Sequence, residues 1–425
     1  MTDRTINRHR LFYVGNLAIF MIGLGFAVRA NIAPNLQTEI YDKLSPTNSV
    51  AMIGEALGIT FTGFALTLLF GSALVELVGM KRMLLCSAVG YIAGALGLMV
   101  ATTITPGPLA ESLVLSSLLL TGLGWGAVEA ATNPMVAALY PEEKAHRMNI
   151  LHAWWPAGIV IGGLLGVLIN TAGMPWQVNM FTLLIPALIL MWLVASSAFP
   201  ETERVARGIS YPDMLMELIK RPLFWVFWAC MFLTAASELA PGQWVNITLS
   251  NTVGMQGILL LVYVSALMFV MRHFAGSVVA RISSMGLMVV SCVAASIGLY
   301  LLSLANSPAM AFGAATIWGI GVCYLWPTML AITAERFPRG GALAMGLMGF
   351  AGGMSIQFLL PAMGAIFDAA KAEAAGGVTK LPALSDEEML EVLRYASVES
   401  FQVVAVLPLL LLPVFGIIWF CDHRQ

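Results

Sequence analysis

Apolar residues run in long blocks along this chain, each closed by a short polar or charged break. A membrane-spanning helix needs about 20 mostly apolar residues. Twelve stretches meet that length, near 11–33, 56–78, 82–103, 112–138, 148–172, 178–199, 223–247, 257–280, 285–305, 308–334, 342–367 and 399–421. Lipid offers no partner to a free backbone N–H or C=O, so blocks this long are helices. The longest connector on the side of the N-terminus, Glu201–Arg221, follows the sixth block. It divides the chain into a six-helix half at 1–200, a linker at 201–221 and a second six-helix half at 222–425. The expected fold is an all-α integral membrane protein with twelve transmembrane helices in two six-helix halves.

Charge sets the orientation. Of the 21 Lys and Arg residues, fifteen fall on the side of the N-terminus, and only Lys43, Lys371, Lys380 and Arg394 fall on the other. Arg29 and Arg272 remain inside spans. Basic residues collect in cytoplasmic loops, so both termini are expected in the cytoplasm of a bacterial inner (plasma) membrane. Met1–Arg10 leads straight into the first block with no small-residue cleavage pattern, and reads as a retained span. The outward loop Ala369–Val398 holds Ser385–Leu393, expected to form a short surface helix with Ser385 as N-cap.

Composition agrees with this solvent. The chain is 59% hydrophobic and 10% charged, where a soluble domain carries roughly a quarter charged residues. A net charge of −2 gives no electrostatic case for nucleic acid. Five scattered cysteines show neither metal spacing nor a disulfide framework. No Gly-rich phosphate loop, zinc-type Cys/His spacing or nucleophile elbow is present, so neither an enzyme nor a cofactor or metal is expected. The 26 methionines read as adaptable packing between helices.

The halves echo each other. Gly126 and Pro134 in span four match Gly319 and Pro327 in span ten in spacing, and the spans close on Tyr140-Pro141 and Phe337-Pro338. A glycine-rich helix follows each, with Gly158, Gly162, Gly163 and Gly166 in one and Gly346, Gly349, Gly352 and Gly353 in the other. Small residues one turn apart let helices approach closely. Two halves related by a repeat, with a solute site between them, is a transporter plan.

The polar residues inside spans are the candidates for chemistry. Glu129 lies eleven residues before Tyr140. At 1.5 Å per residue that is about 16 Å from the helix end, near the middle of a roughly 30 Å core. A charge facing lipid there costs at least ~2.5 kcal/mol, so Glu129 faces the bundle interior or carries a proton, as a coupling residue would. The structural alternative is an ion pair with Arg29 or Arg272. Asn133, four residues on, shares its face and offers an amide to a sugar's hydroxyls, or bonds another helix. Arg29 either binds an anionic group such as a sugar-acid carboxylate, replaces a coupling cation, or pairs with Glu55 or Glu238. Glu238, Gln243, Trp244 and Asn246 surround an expected helix break at Pro241-Gly242 and are candidates for gating or binding, Trp244 being also a possible interfacial anchor. Arg272 is a candidate cavity charge, whereas the adjacent His273 reads as packed. His152, Trp154 and Trp155 in span five, Tyr324 and Trp326 in span ten and Gln357 in span eleven supply further aromatic and polar contacts, each open to a plain packing role.

Several motifs resemble the major facilitator superfamily. Glu76, Gly79, Lys81 and Arg82, between spans two and three, stand where that superfamily carries an acidic residue, a glycine and a basic pair that act as a conformational motif. Glu129, Asn133-Pro134, Pro141-Glu142, His146-Arg147 and Asn149 are similar in order to the fucose permease-like group, the fucose/galactose/hexose:cation symporters. Arg272–Gly276 with Arg281, and Tyr324, Pro327-Thr328, Gly352-Gly353, Pro361, Gly364 and Asp368, extend the likeness. Two positions depart: Ala30 stands where that group's proton-coupled members carry a carboxylate, and His152 replaces a span-five glutamine. The resemblance implies a secondary active transporter of a sugar or sugar derivative, monomeric, working in a lipid bilayer and coupled to H⁺, with Na⁺ the other ion considered. A uniporter or an exporter of an amphipathic or anionic metabolite is the alternative, and a non-transporting sensor a third.

Overall fold

The computed structural model describes residues 6–44, 49–253 and 257–422, and holds no strand among them. Among the described residues, eleven helices are long and apolar enough to cross a membrane. Spans one to six are Arg8–Leu44, Met52–Val78, Met80–Ala101, Pro108–Leu139, Lys144–Thr171 and Val178–Ala195. Span seven is Pro222–Gly242, spans nine to twelve are Ala275–Ser303, Pro308–Arg336, Pro338–Ala374 and Asp386–Asp422, and the shorter apolar helix Leu259–Arg272 serves as span eight. The twelve expected helices are present.

The chain forms two compact units, Met1–Trp225 with Leu330–Phe350, and Val226–Met329 with Ala351–Gln425. In the first, spans one and five cross at two glycines. A Cβ on Gly23 would strike the Trp155 carbonyl oxygen, and one on Gly158 the Phe20 carbonyl oxygen. Leu24, Val28 and Ile32 of span one pack with Ala95 and Leu98 of span three, Leu118 of span four and Met180 of span six. Lipid tails are as apolar as these side chains, so dense packing rather than escape from water holds the cluster together. The connector after span six folds into two short helices, Glu203–Ala206 and Tyr211–Lys220, capped by the hydroxyls of Thr202 and Ser210.

In the second unit the helix break is elsewhere than expected. Span seven runs unbroken as Pro222–Thr252, straight through Pro241-Gly242. Pro241 has no N–H for the Ser237 carbonyl one turn back. Trp318 of span ten supplies the donor instead, its Nε1 reaching the Ser237 oxygen at 3.2 Å. Span ten is the interrupted one, with helices Pro308–Val322 and Leu325–Arg336 separated at 323–324. There Pro327 leaves the Cys323 carbonyl without a helical donor, and Arg272 Nε donates to it. Irregular backbone inside a membrane protein survives where protein groups satisfy it.

Span eight ends at Arg272, and the chain turns at 273–274 before the next helix starts at Ala275. Within that helix Ser283 takes φ 64°, and its hydroxyl accepts from Gly286 N at 3.2 Å, so the direction changes where spans eight and nine divide in the sequence. Ser385 does cap a helix. Its hydroxyl accepts from Glu388 N and the Glu388 carboxylate accepts from Ser385 N, a reciprocal capping box. The helix is not a short surface element, however; it continues from Asp386 to Asp422 as span twelve.

Candidate functional site

Span four carries Trp125, Glu129 and Asn133 four residues apart, on one face of the helix. All three are buried, Glu129 at 5% exposure. The hinge after Tyr140 is short, so span five returns beside span four and brings His152 to the same level. Asn133 Nδ2 donates to Glu129 Oε2 at 2.8 Å, and His152 Nε2 lies 2.9 Å from Asn133 Oδ1. An amide oxygen only accepts, so His152 donates from Nε2. His152 Nε2 also stands 3.8 Å from Glu129 Oε2. Three residues singled out in the sequence thus form one polar chain, carboxylate to amide to imidazole, inside an apolar bundle.

Arg29 lies one turn along from this chain, stacked on aromatic rings. Its guanidinium carbon is 5.6 Å from the Trp125 ring centre and 6.0 Å from that of Phe26, and Phe26 in turn lies 5.7 Å from Trp155. Neither Nη1 nor Nη2 has a hydrogen-bond partner. Tyr91 of span three adjoins the guanidinium. Glu238, one of the partners considered for Arg29 from the sequence, accepts instead from Arg272. Trp125 was not anticipated as a site residue; its position one turn before Glu129 was the available signal.

In the second unit Arg272 is 2% exposed and its Nη2 donates to Glu238 Oε1 at 3.0 Å. The Tyr324 hydroxyl donates to the Met271 carbonyl at 2.9 Å, fixing the interrupted part of span ten to the end of span eight. Trp326 is buried with its ring against Gly352. His273 is packed as expected, its Nδ1 donating to the Phe269 carbonyl at 2.7 Å. Gln357 is exposed and is not gathered with these groups. The side chains of Gln243, Trp244 and Asn246 lie outside the described residues.

The motif between spans two and three is a helix-capping device. Gly79 turns the chain at φ 89°, a conformation suited to glycine. Before it, the buried Glu76 accepts from Thr202 Oγ1 at 2.5 Å, Arg204 Nε at 3.0 Å and the backbone N of Ala342 at 3.0 Å. Ala342 opens the helix of span eleven, so the carboxylate sits at a helix N-terminus, where negative charge is favoured. After it, Lys81 Nζ donates to the carbonyls of Ala195 and Ser197 at the end of span six, both at 2.9 Å. Arg82 is exposed. Lys144 adds a further tie, reaching Glu203 at 2.9 Å and the Ala334 carbonyl at 3.2 Å. The sequence showed the acidic and basic members of this motif but not Thr202, Arg204 or the Ala342 amide, which come from distant segments.

The chain belongs to the Major Facilitator Superfamily, whose sequence model matches residues 15–361. It is accordingly a multi-pass membrane transporter rather than an enzyme. Solved structures share the fold. The E. coli fucose:proton symporter FucP is 14% identical with a TM-score of 0.69, over 93% of this chain and 98% of that one. The proton:xylose symporter XylE, bound to 6-bromo-6-deoxy-D-glucose, is 15% identical with a TM-score of 0.73, over 96% and 95%. The human organic anion transporter MFSD10 is 14% identical with a TM-score of 0.71, over 97% and 100%. No curated protein matches by sequence.

Proposed function

We propose that this member of the superfamily is a secondary active carrier that moves a sugar or sugar derivative across a bacterial inner membrane by alternating access. In this reading both termini are cytoplasmic, the protein acts as a monomer, and H⁺ is the coupling ion. The buried Glu129–Asn133–His152 chain carries the proposal. With Glu129 ionised, Asn133 gives it an N–H and takes one from His152. Adding a proton turns the Glu129 oxygen into a donor. Asn133 then meets it with its amide oxygen and presents its NH₂ to His152, whose Nε2 must accept. Proton load on one carboxyl so reverses the polarity of the whole chain and changes what it offers to solute hydroxyls, which links the two bindings. The likeness to sugar:proton symporters supports the same reading.

Reconstitution in liposomes tests it. The wild type accumulates sugar when an inward proton gradient is imposed, while Glu129→Gln exchanges sugar across the bilayer without accumulating it. Gradient-driven accumulation by Glu129→Gln would sink the coupling assignment. Ala30, standing where the resembled group carries a carboxylate, favours a second reading as a uniporter or exporter. Exchange by the wild type with no response to the gradient would select that one.

A further inference from the structure

We propose that the solute is a monoanion, a sugar acid, and that its carboxylate docks on Arg29. The inference rests on the sugar-carrier reading and gives its substrate a charge. Arg29 is 6% exposed, yet both terminal nitrogens lack a hydrogen-bond partner and no carboxylate among the described residues pairs with it. Its surroundings make the same demand. The Trp125 and Trp155 indole nitrogens are also buried without partners. All four of these orphan atoms can only donate. The site is short of acceptors and of one negative charge.

The Trp125 and Phe26 rings lie close to the cation and stabilise it through their π faces, but they accept none of its N–H bonds well. A carboxylate satisfies both needs together, because its two oxygens take a guanidinium in a parallel, bidentate fork. A neutral hexose brings hydroxyls and leaves the charge unbalanced. A phosphate ester brings two charges to one arginine. Along span four, Trp125 is followed by Glu129 and then Asn133 on the same face, each step about 6 Å along the axis. A polyhydroxy acid held by Arg29 therefore directs its hydroxyls toward Asn133 and His152. The proton site and the anion site then share one solute.

Titration calorimetry of the full chain in lipid nanodiscs tests this with a hexose, its uronate and its 6-phosphate. The uronate should bind at least about tenfold more tightly than the other two. Arg29→Gln should bring uronate binding down to the level of the hexose, with Arg29→Lys between. The ligand-free Arg29→Gln protein should melt no lower than the wild type, since an unpaired buried cation is removed. Uronate and hexose affinities within about twofold of each other would overturn the proposal, as would an Arg29→Gln variant with undiminished uronate binding. A simple hydroxy acid that binds through Arg29 while no sugar acid does would end the sugar reading and keep the carboxylate site. Neutral hexose binding untouched by Arg29→Gln would do the reverse, and no binding by any of these compounds would end both.

Discussion

Replacing Glu238 with glutamine tests how the second unit is held together. Arg272 is almost fully buried and is anchored on the Glu238 carboxylate at 3.0 Å and on the Cys323 carbonyl. Glutamine keeps the size and an acceptor oxygen but removes the charge. Stranding one member of a buried pair costs about 3–5 kcal/mol. At the per-kilocalorie shifts of larger domains, the melting midpoint falls by on the order of 10 °C. Adding Arg272→Met removes the stranded cation and leaves a smaller fault, because Pro327 cannot supply the N–H that the Cys323 carbonyl then lacks. One unsatisfied buried carbonyl costs about 1–3 kcal/mol. The double variant should therefore melt above Glu238→Gln alone, and Pro327→Ala, by restoring an N–H, should raise it again. The assay is thermal unfolding of five purified proteins (the wild type, the two single variants, the double variant and the double variant with Pro327→Ala) in one detergent at one pH, followed by tryptophan fluorescence. A double variant that melts below both single variants would refute the reasoning, since the losses would then be independent.

Two other outcomes follow from the same geometry. Trp318→Phe removes the indole donor from the Ser237 carbonyl and should cost about 1–3 kcal/mol in thermal unfolding, an effect largely cancelled in a Pro241→Ala background. Glu76→Gln weakens the hydrogen bonds to Arg204 and to the start of span eleven, and should cost about 1–2 kcal/mol while speeding limited proteolysis in the 201–221 connector; an unchanged cleavage rate would deny the carboxylate its tethering role.

The spans were legible because apolar length is a local property of the chain. The polar chain was half legible: Glu129 and Asn133 follow from helical spacing, and the short hinge at 141–143 makes span five the natural source of His152. Helix breaks were not legible. Pro241-Gly242 looks like an interruption and Pro327 reads only as a mark of the internal repeat, yet the structure reverses them. A proline removes one donor at a known position, but the helix's response depends on what a neighbouring span offers to the freed carbonyl. At Ser237 that group is Trp318, which supports a continuous helix; at Cys323 it is Arg272, which supports an open turn. The exposure of Gln357 was not legible for a related reason, because which face of span eleven is covered depends on packing that its own sequence does not contain.

The two arginines inside spans show how far partner geometry separates residues that composition makes equal. Both are buried, and both stand in otherwise apolar helices. Arg272 has a carboxylate and a carbonyl, so its charge is spent on fixing spans seven, eight and ten to one another. Arg29 has aromatic faces and orphan donors, so its charge is left for something the chain does not itself contain. Neutralising them should affect the empty protein differently. Arg272→Gln strands Glu238 and lowers the melting temperature, whereas Arg29→Gln strands nothing and shows its cost only when solute is added. A structural role for both predicts that both variants destabilise the empty protein, and one pair of melting curves decides between the two accounts.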